Sequence, residues 1–125
     1  MMGIKIMLVD DSDDVRFTVK DSLSSIDKSY SILEARNGEE CLSLIKKNKV
    51  DLILLDIMMP GKDGTEVATE LKNDSKTKDI PIIFLTAKTD ELTKKFASTI
   101  GQDYISKPFD LEELDKKIKS KIKKK

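Results

Sequence analysis

The sequence predicts an α/β fold, a doubly wound parallel sheet of five strands with helices on both faces. Two features carry that expectation. The apolar pattern switches repeatedly between short continuous or alternating runs and runs of helical spacing, so strands and helices alternate along the chain. Two of the short runs, Leu52 to Leu55 and Ile80 to Leu85, are apolar throughout, as central strands covered on both faces must be. No internal repeat or low-complexity linker interrupts the pattern, and 125 residues suit a single core, so residues 1–125 are expected to form one domain.

Ile4 to Val9 is apolar except for Lys5 and reads as the first strand. Val15, Val19, Leu23 and Ile26 then recur at helical spacing, with Ser12 or Asp13 available as the cap. Tyr30 to Ala35 alternates and reads as a second, shorter strand. Asn37 opens the next helix with Glu40 as its capping-box partner, and Cys41, Leu42 and Ile45 form its buried face. After the third strand, Leu52 to Leu55, a Met-Pro-Gly loop leads into a helix carrying Val67, Ala68 and Leu71. Ile80 to Leu85 is the fourth strand, and Leu92, Phe96 and Ile100 mark the fourth helix. Tyr104 and Ile105 centre a short fifth strand. Asp110, partnered by Glu113, opens a last helix built on Leu111, Leu114, Ile118 and Ile122.

Composition removes several classes of function. Lysine plus arginine equal aspartate plus glutamate at 23 each, so no net field draws the chain to nucleic acid, and direct binding to it is not expected. The lysines between Lys116 and Lys125 are the one asymmetry. Helical apolar spacing persists through them, which favours a solvated helix face over an anionic partner. The apolar runs are too short to span a bilayer, no charged-then-apolar leader opens the chain, and the single Cys41 has no internal disulfide partner. A cytoplasmic location is therefore expected. There is no histidine, so the chain's own chemistry rests on carboxylates, lysines, hydroxyls or Cys41.

In a doubly wound sheet, ligands bind beyond the carboxyl ends of the strands. Asp10 and Asp11 follow the first strand, Asp56 the third, Thr86 the fourth and Lys107 the fifth. Each is commonplace alone, as a cap, a turn residue or half of a Lys-Pro turn. Together at four strand ends they bring three carboxylates, a hydroxyl and an ammonium to one edge. Clustered carboxylates raise one another's pKa unless a cation lies among them, and Mg2+ suits an open, oxygen-lined site. Asp56 can then attack phosphorus, with Lys107 and the metal neutralising the transferring oxygens and Thr86 donating a hydrogen bond.

The segments Leu8-Val9-Asp10-Asp11, Leu54-Leu55-Asp56-Ile57-Met58-Met59-Pro60-Gly61, Asp63-Gly64, Ile80-Pro81 through Leu85-Thr86-Ala87, and Lys107-Pro108-Phe109 resemble the response-regulator receiver family of two-component signalling, including its stand-alone chemotaxis regulators. The resemblance covers essentially the whole chain. It implies a flavodoxin-like sheet of order 2-1-3-4-5. It also implies Asp56 as phosphoacceptor and Mg2+ held by Asp11, Asp56 and the Met58 carbonyl, with Asp10 acting mainly through a water. Lys107 pairs with Asp56 and then with phosphoryl oxygens, Thr86 and Tyr104 form the switch pair, and the peptide before Pro108 is cis. Met58 and Lys88 hold the places that overlook the attacking water and so tune the phosphoryl lifetime. In one respect the chain departs from the family: the glycine common four residues before the switch aromatic is replaced by Ile100, with Gly101 following.

The expected function is thus a phosphoacceptor and not an enzyme. It takes its phosphoryl group from a partner histidine kinase or histidine phosphotransfer protein and signals to a downstream protein through the face of the fourth helix, fifth strand and fifth helix. A haloacid-dehalogenase-type phosphatase needs a general acid two residues after the nucleophile, where Met58 stands. A flavin-binding protein needs hydroxyls and glycines where Asp10 and Asp11 lie. Neither a calcium loop at Asp10 to Asp14 nor a phosphate loop at Gly61 to Thr65 meets its spacing rules. The remaining alternative is a degenerate receiver used as a phosphorylation-independent interaction module.

Overall fold

The computed structural model describes residues 3–87 and 90–122. Among these the elements run β1 (Ile4–Val9), α1 (Asp13–Ile26), β2 (Tyr30–Ala35), α2 (Gly38–Ile45), β3 (Leu52–Asp56), α3 (Gly64–Lys72), β4 (Ile82–Ala87), α4 (Glu91–Thr99), β5 (Asp103–Lys107) and α5 (Leu111–Ile122). All pairings are parallel, in the order β2-β1-β3-β4-β5. The expected class and strand order both hold, with β3 at the centre.

Strand alternation divides the core into two layers. Met7, Val9, Ile53, Leu55, Ile82 and Phe84 face α2, α3 and α4, meeting Cys41, Val67, Ala68, Leu71 and Ala97. Ile6, Leu8, Leu52, Leu54, Ile83 and Leu85 face α1 and α5, meeting Val19, Leu23, Leu114 and Ile118. The continuous apolar runs of β3 and β4 are required because both of their faces are covered. Cys41 is fully buried in the first layer, and burial pushes its thiol up to about 12.

Several details differ from the sequence reading. The fourth strand begins at Ile82, not Ile80: Ile80 donates its N–H to the Thr77 carbonyl in a turn, and Pro81 has no N–H to give a ladder. Helix α4 buries Thr93 and Ala97 while Leu92 is 82% exposed, so its inward seam runs one residue beside the Leu92–Phe96–Ile100 stripe. Phe96 still reaches the core edge-on to Phe84, with centroids 6.0 Å apart. Ile26, at the end of α1, is exposed, and Leu42 and Ile45 are only half buried.

The caps are mixed. Ser12 caps α1, accepting from the Val15 N–H. Asn37 accepts the Glu40 N–H, but the Glu40 side chain takes the Arg36 N–H rather than closing the expected box. Asp110 accepts from Glu112. The full reciprocal box is at α3, between Asp63 and Glu66. On α5 the lysines make local ion pairs, Lys117 with Asp103 and Lys119 with Asp27 and Asp115, as a solvated face does. Residues 123–125 of that basic end lie outside the described residues. No helix among the described residues is long and apolar enough to cross a membrane.

Gly101 resolves the departure before Tyr104. It ends α4 at φ +72, its N–H donating to Ser98 O at 3.1 Å while the Gln102 N–H reaches Ala97 O at 2.8 Å. This is the paired-bond stop that a left-handed residue makes, one position later along the chain than the family's usual glycine.

Candidate functional site

The order reverses between β1 and β3, so a crevice opens beyond their carboxyl ends. Val9 is in register with Leu55, which brings Asp10 and Asp56 abreast. Asp56 continues the alternation of Leu52 and Leu54, and Lys107 that of Ile105, so both belong to the α1/α5 face of the sheet. Thr86 follows Phe84 on the opposite face, where Tyr104 also packs as a half-buried side chain.

Carboxylate oxygens of Asp10, Asp11 and Asp56 lie within 4.8 Å of one another. Asp10 is 1% exposed and Asp56 5%, while Asp11 opens to solvent. Lys107 Nζ donates to Asp10 Oδ2 at 3.2 Å and to Asp56 Oδ1 at 3.3 Å. Burial pushes the Asp56 carboxyl up, the Asp10 charge adds to this and Lys107 opposes it, leaving the group above the ordinary carboxylate range. Burial works against the Lys107 ammonium, but Asp56 and Asp10 outweigh it and hold its pKa above the usual lysine value.

This donor set fits a hard divalent cation. Three carboxylates face one ammonium, an excess of two negative charges in a largely buried corner with one open, solvent-facing ligand. The loop after Asp56 leaves Met58 73% exposed while Met59 is buried and donates its N–H to Ile57 O at 3.1 Å. Thr86 is buried and its hydroxyl donates to the adjoining Ala87 carbonyl at 3.1 Å, not to a carboxylate. Lys94 Nζ lies 5.8 Å from the centroid of the Tyr104 ring. The Lys107–Pro108 peptide is cis. Lys88 lies outside the described residues.

Two residues at the site escaped the sequence reading. Arg16 is buried, and its Nη1 donates to the Asp10 carbonyl at 2.6 Å. The available signal was its place on the Val19–Leu23 stripe, where a charge must find partners. Gly64 packs on the Asp56 backbone, and its N–H donates to Ile57 O at 3.1 Å.

Comparison with known proteins identifies the family. The family model for the response regulator receiver domain matches residues 6–119. The chain belongs to that family. This receiver domain is 42% identical over 124 residues to the phosphate regulon transcriptional regulatory protein PhoB of Pseudomonas aeruginosa, covering 98% of the chain and 53% of PhoB. It is 39% identical over 124 residues to the probable transcriptional regulator ycf27 of Porphyridium aerugineum, 98% of the chain and 50% of that protein. The receiver domain thus spans about half the length of these curated relatives. Among solved structures it matches the Vibrio cholerae chemotaxis protein CheY4 with TM-score 0.85 and 30% identity, covering 94% of this chain and 98% of that one. It also matches the receiver domain of a signal transduction histidine kinase from Syntrophus aciditrophicus, with TM-score 0.88 and 28% identity over 98% and 92% of the two chains. It is a two-component receiver domain, a signalling module with an acidic pocket of the kind that binds Mg2+ in this family.

Proposed function

We propose that this domain accepts a phosphoryl group on the Asp56 carboxylate from a phosphohistidine of a partner histidine kinase or histidine phosphotransfer protein. The reading rests above all on a buried aspartate paired with a single lysine inside a carboxylate cluster that is short of positive charge. A carboxylate oxygen of Asp56 forms the new O–P bond as the P–N bond of the donor breaks, and the freed imidazole recovers its proton from solvent. Lys107 then moves from carboxylate to phosphoryl oxygens, and Thr86 offers its hydroxyl. Asp11, Asp56 and the Met58 carbonyl would hold Mg2+, with Asp10 supporting it indirectly. When bound, the ion supplies charge neutralisation at the transferring oxygens.

The mark is read out as a conformational change. Thr86 and Tyr104 share a face of the sheet, so a Thr86 hydroxyl turned to the phosphoryl group leaves room for the Tyr104 ring. The consequence reaches a downstream protein through α4, β5 and α5. Met58, two residues after Asp56 and 73% exposed, is an apolar contact available to the donor protein. In a longer protein of the kind this chain partly matches, the same change would act on an attached part. The balanced charge supports protein contact, not nucleic acid, as the domain's own output, in the cytoplasm where its donor acts. A phosphorylation-independent interaction module is not favoured, since Asp10, Asp11, Asp56, Thr86 and Lys107 are all present. Intact-mass measurement after acetyl phosphate with Mg2+ tests the reading. One added phosphoryl group is expected, absent from Asp56→Asn or with EDTA, and a labelled Asp56→Asn chain would refute it.

A further inference from the structure

We infer that Arg16 is a positioning residue for the acidic site, holding the peptide between Asp10 and Asp11 so that both carboxylates are presented to a divalent cation. The inference rests on the metal reading above. The β1–β2 ladder reaches Val9 and Ala35, and the Asp10 N–H extends it by one bond to Ala35 O at 3.2 Å. The Asp10 carbonyl then has no further residue of β2 to pair with, since that strand ends at Ala35. Arg16 Nη1 takes it instead, at 2.6 Å. That carbonyl and the Asp11 N–H belong to one rigid peptide plane, so the bond fixes the direction in which Asp11 leaves the strand.

The other ends of Asp10 are fixed as well. Its Oδ1 accepts the Ser12 N–H at 2.9 Å and its Oδ2 the Lys107 ammonium at 3.2 Å. Asp11 is exposed, and no bond comparable to these holds its carboxylate among the described hydrogen bonds. Its aim therefore depends on its backbone. The guanidinium can do this because it is 6% exposed and is held by two further bonds, Nε donating to Glu34 Oε1 at 3.0 Å and Nη2 to Asp13. Asp13 and Glu34 both pair with it, so its buried charge is compensated, and Asp13 remains as a partner when Glu34 is neutralised. An ammonium cannot reproduce this fork from three elements at once.

The test is calorimetric Mg2+ titration of the whole chain together with metal-free thermal melts, on the parent, Arg16→Met, Arg16→Lys and Glu34→Gln. Loss of an outer support of a metal ligand typically weakens affinity by 10–100-fold, so Arg16→Met is expected to bind Mg2+ about tenfold more weakly. Arg16→Lys should show a smaller loss, about threefold, and serves as the test if Arg16→Met does not fold. Glu34→Gln breaks the α1–β2 ion pair but spares the Asp10 bond. It should melt earlier yet bind Mg2+ within about twofold of the parent. Arg16 variants that bind as the parent does, or a Glu34→Gln loss as large as theirs, would overturn the inference while leaving the metal reading intact. A parent chain that binds no Mg2+ would overturn both.

Discussion

Gly64 lies so close to the Asp56 backbone that a Cβ there would sit 2.5 Å from the Asp56 carbonyl oxygen and 2.9 Å from the Ile57 Cα. The neighbours are backbone atoms, which cannot rotate aside as a side-chain tip can. Gly64→Ala should therefore destabilise the fold by about 2 kcal/mol, an overpacking cost, measurable by urea unfolding. Because the strain falls on the strand end that carries Asp56, labelling by acetyl phosphate should also slow about tenfold. Gly61→Ala is the contrast: nothing lies within 4 Å of its Cβ, and only its φ of +79 opposes the change. It should lose stability with little effect on labelling.

Asp56 carries a charge that the metal-free fold tolerates at a cost. Its folded pKa lies above its ordinary value of 3.8, so its contribution favours folding below that value and is lost as pH rises through the raised one. Asp56→Asn should accordingly raise the metal-free Tm at neutral pH, by a few degrees in a thermal melt. Mg2+ should raise the Tm of the parent and have little effect on Asp56→Asn or Asp11→Ala. A parent Tm that stays constant through millimolar Mg2+ would count against a metal site.

The Thr86 hydroxyl is bonded only to the carbonyl of its neighbour Ala87 among the described contacts, so it can be redirected without breaking a long-range tie. Thr86→Ala should keep Asp56 competent for labelling but weaken the change that labelling induces in α4, β5 and α5. Hydrogen exchange before and after labelling checks this. Protection changes confined to α1 would contradict it.

Met58 and Lys88 should set how long the phosphoryl group lasts. Methionine neither orients a water nor accepts its proton, and an ammonium at Lys88 is a poor base near neutral pH. The expected lifetime is longer than in fast chemotaxis-type regulators. Met58→Asn combined with Lys88→Glu should shorten it about tenfold, corresponding to ~1.4 kcal/mol of barrier. Decay of the labelled chain followed by mass measurement decides it, and an unchanged rate would end the argument.

The sheet was legible because Leu52–Leu55 and Ile82–Leu85 must be apolar on both faces, a demand that leaves little else to read. The gathering of Asp10, Asp11, Asp56 and Lys107 was legible for a topological reason, since parallel strands end at one edge. What failed was local competition. In α4 the apolar stripe through Leu92 lost its place to the smaller Thr93 and Ala97, which allow the helix close against the sheet. At Asn37 a capping partner was spent on a neighbouring N–H, because Arg36 also pairs its guanidinium with Glu40. Arg16 went unread because its place on the Val19–Leu23 stripe signals a charge in need of partners but not that one of them is a backbone carbonyl, a group every residue carries.

The burial of Cys41 has a practical consequence. The thiol is the chain's only one, lies wholly inside the layer beneath α2, and is pushed to about 12, so reagents that attack thiolates find almost none in the closed fold. Alkylation must wait until α2 lifts from the sheet. The chain therefore carries its own clock for that opening event: the rate of thiol modification, followed with and without a phosphoryl group on Asp56, times the breathing of a helix that no probe need be engineered to report.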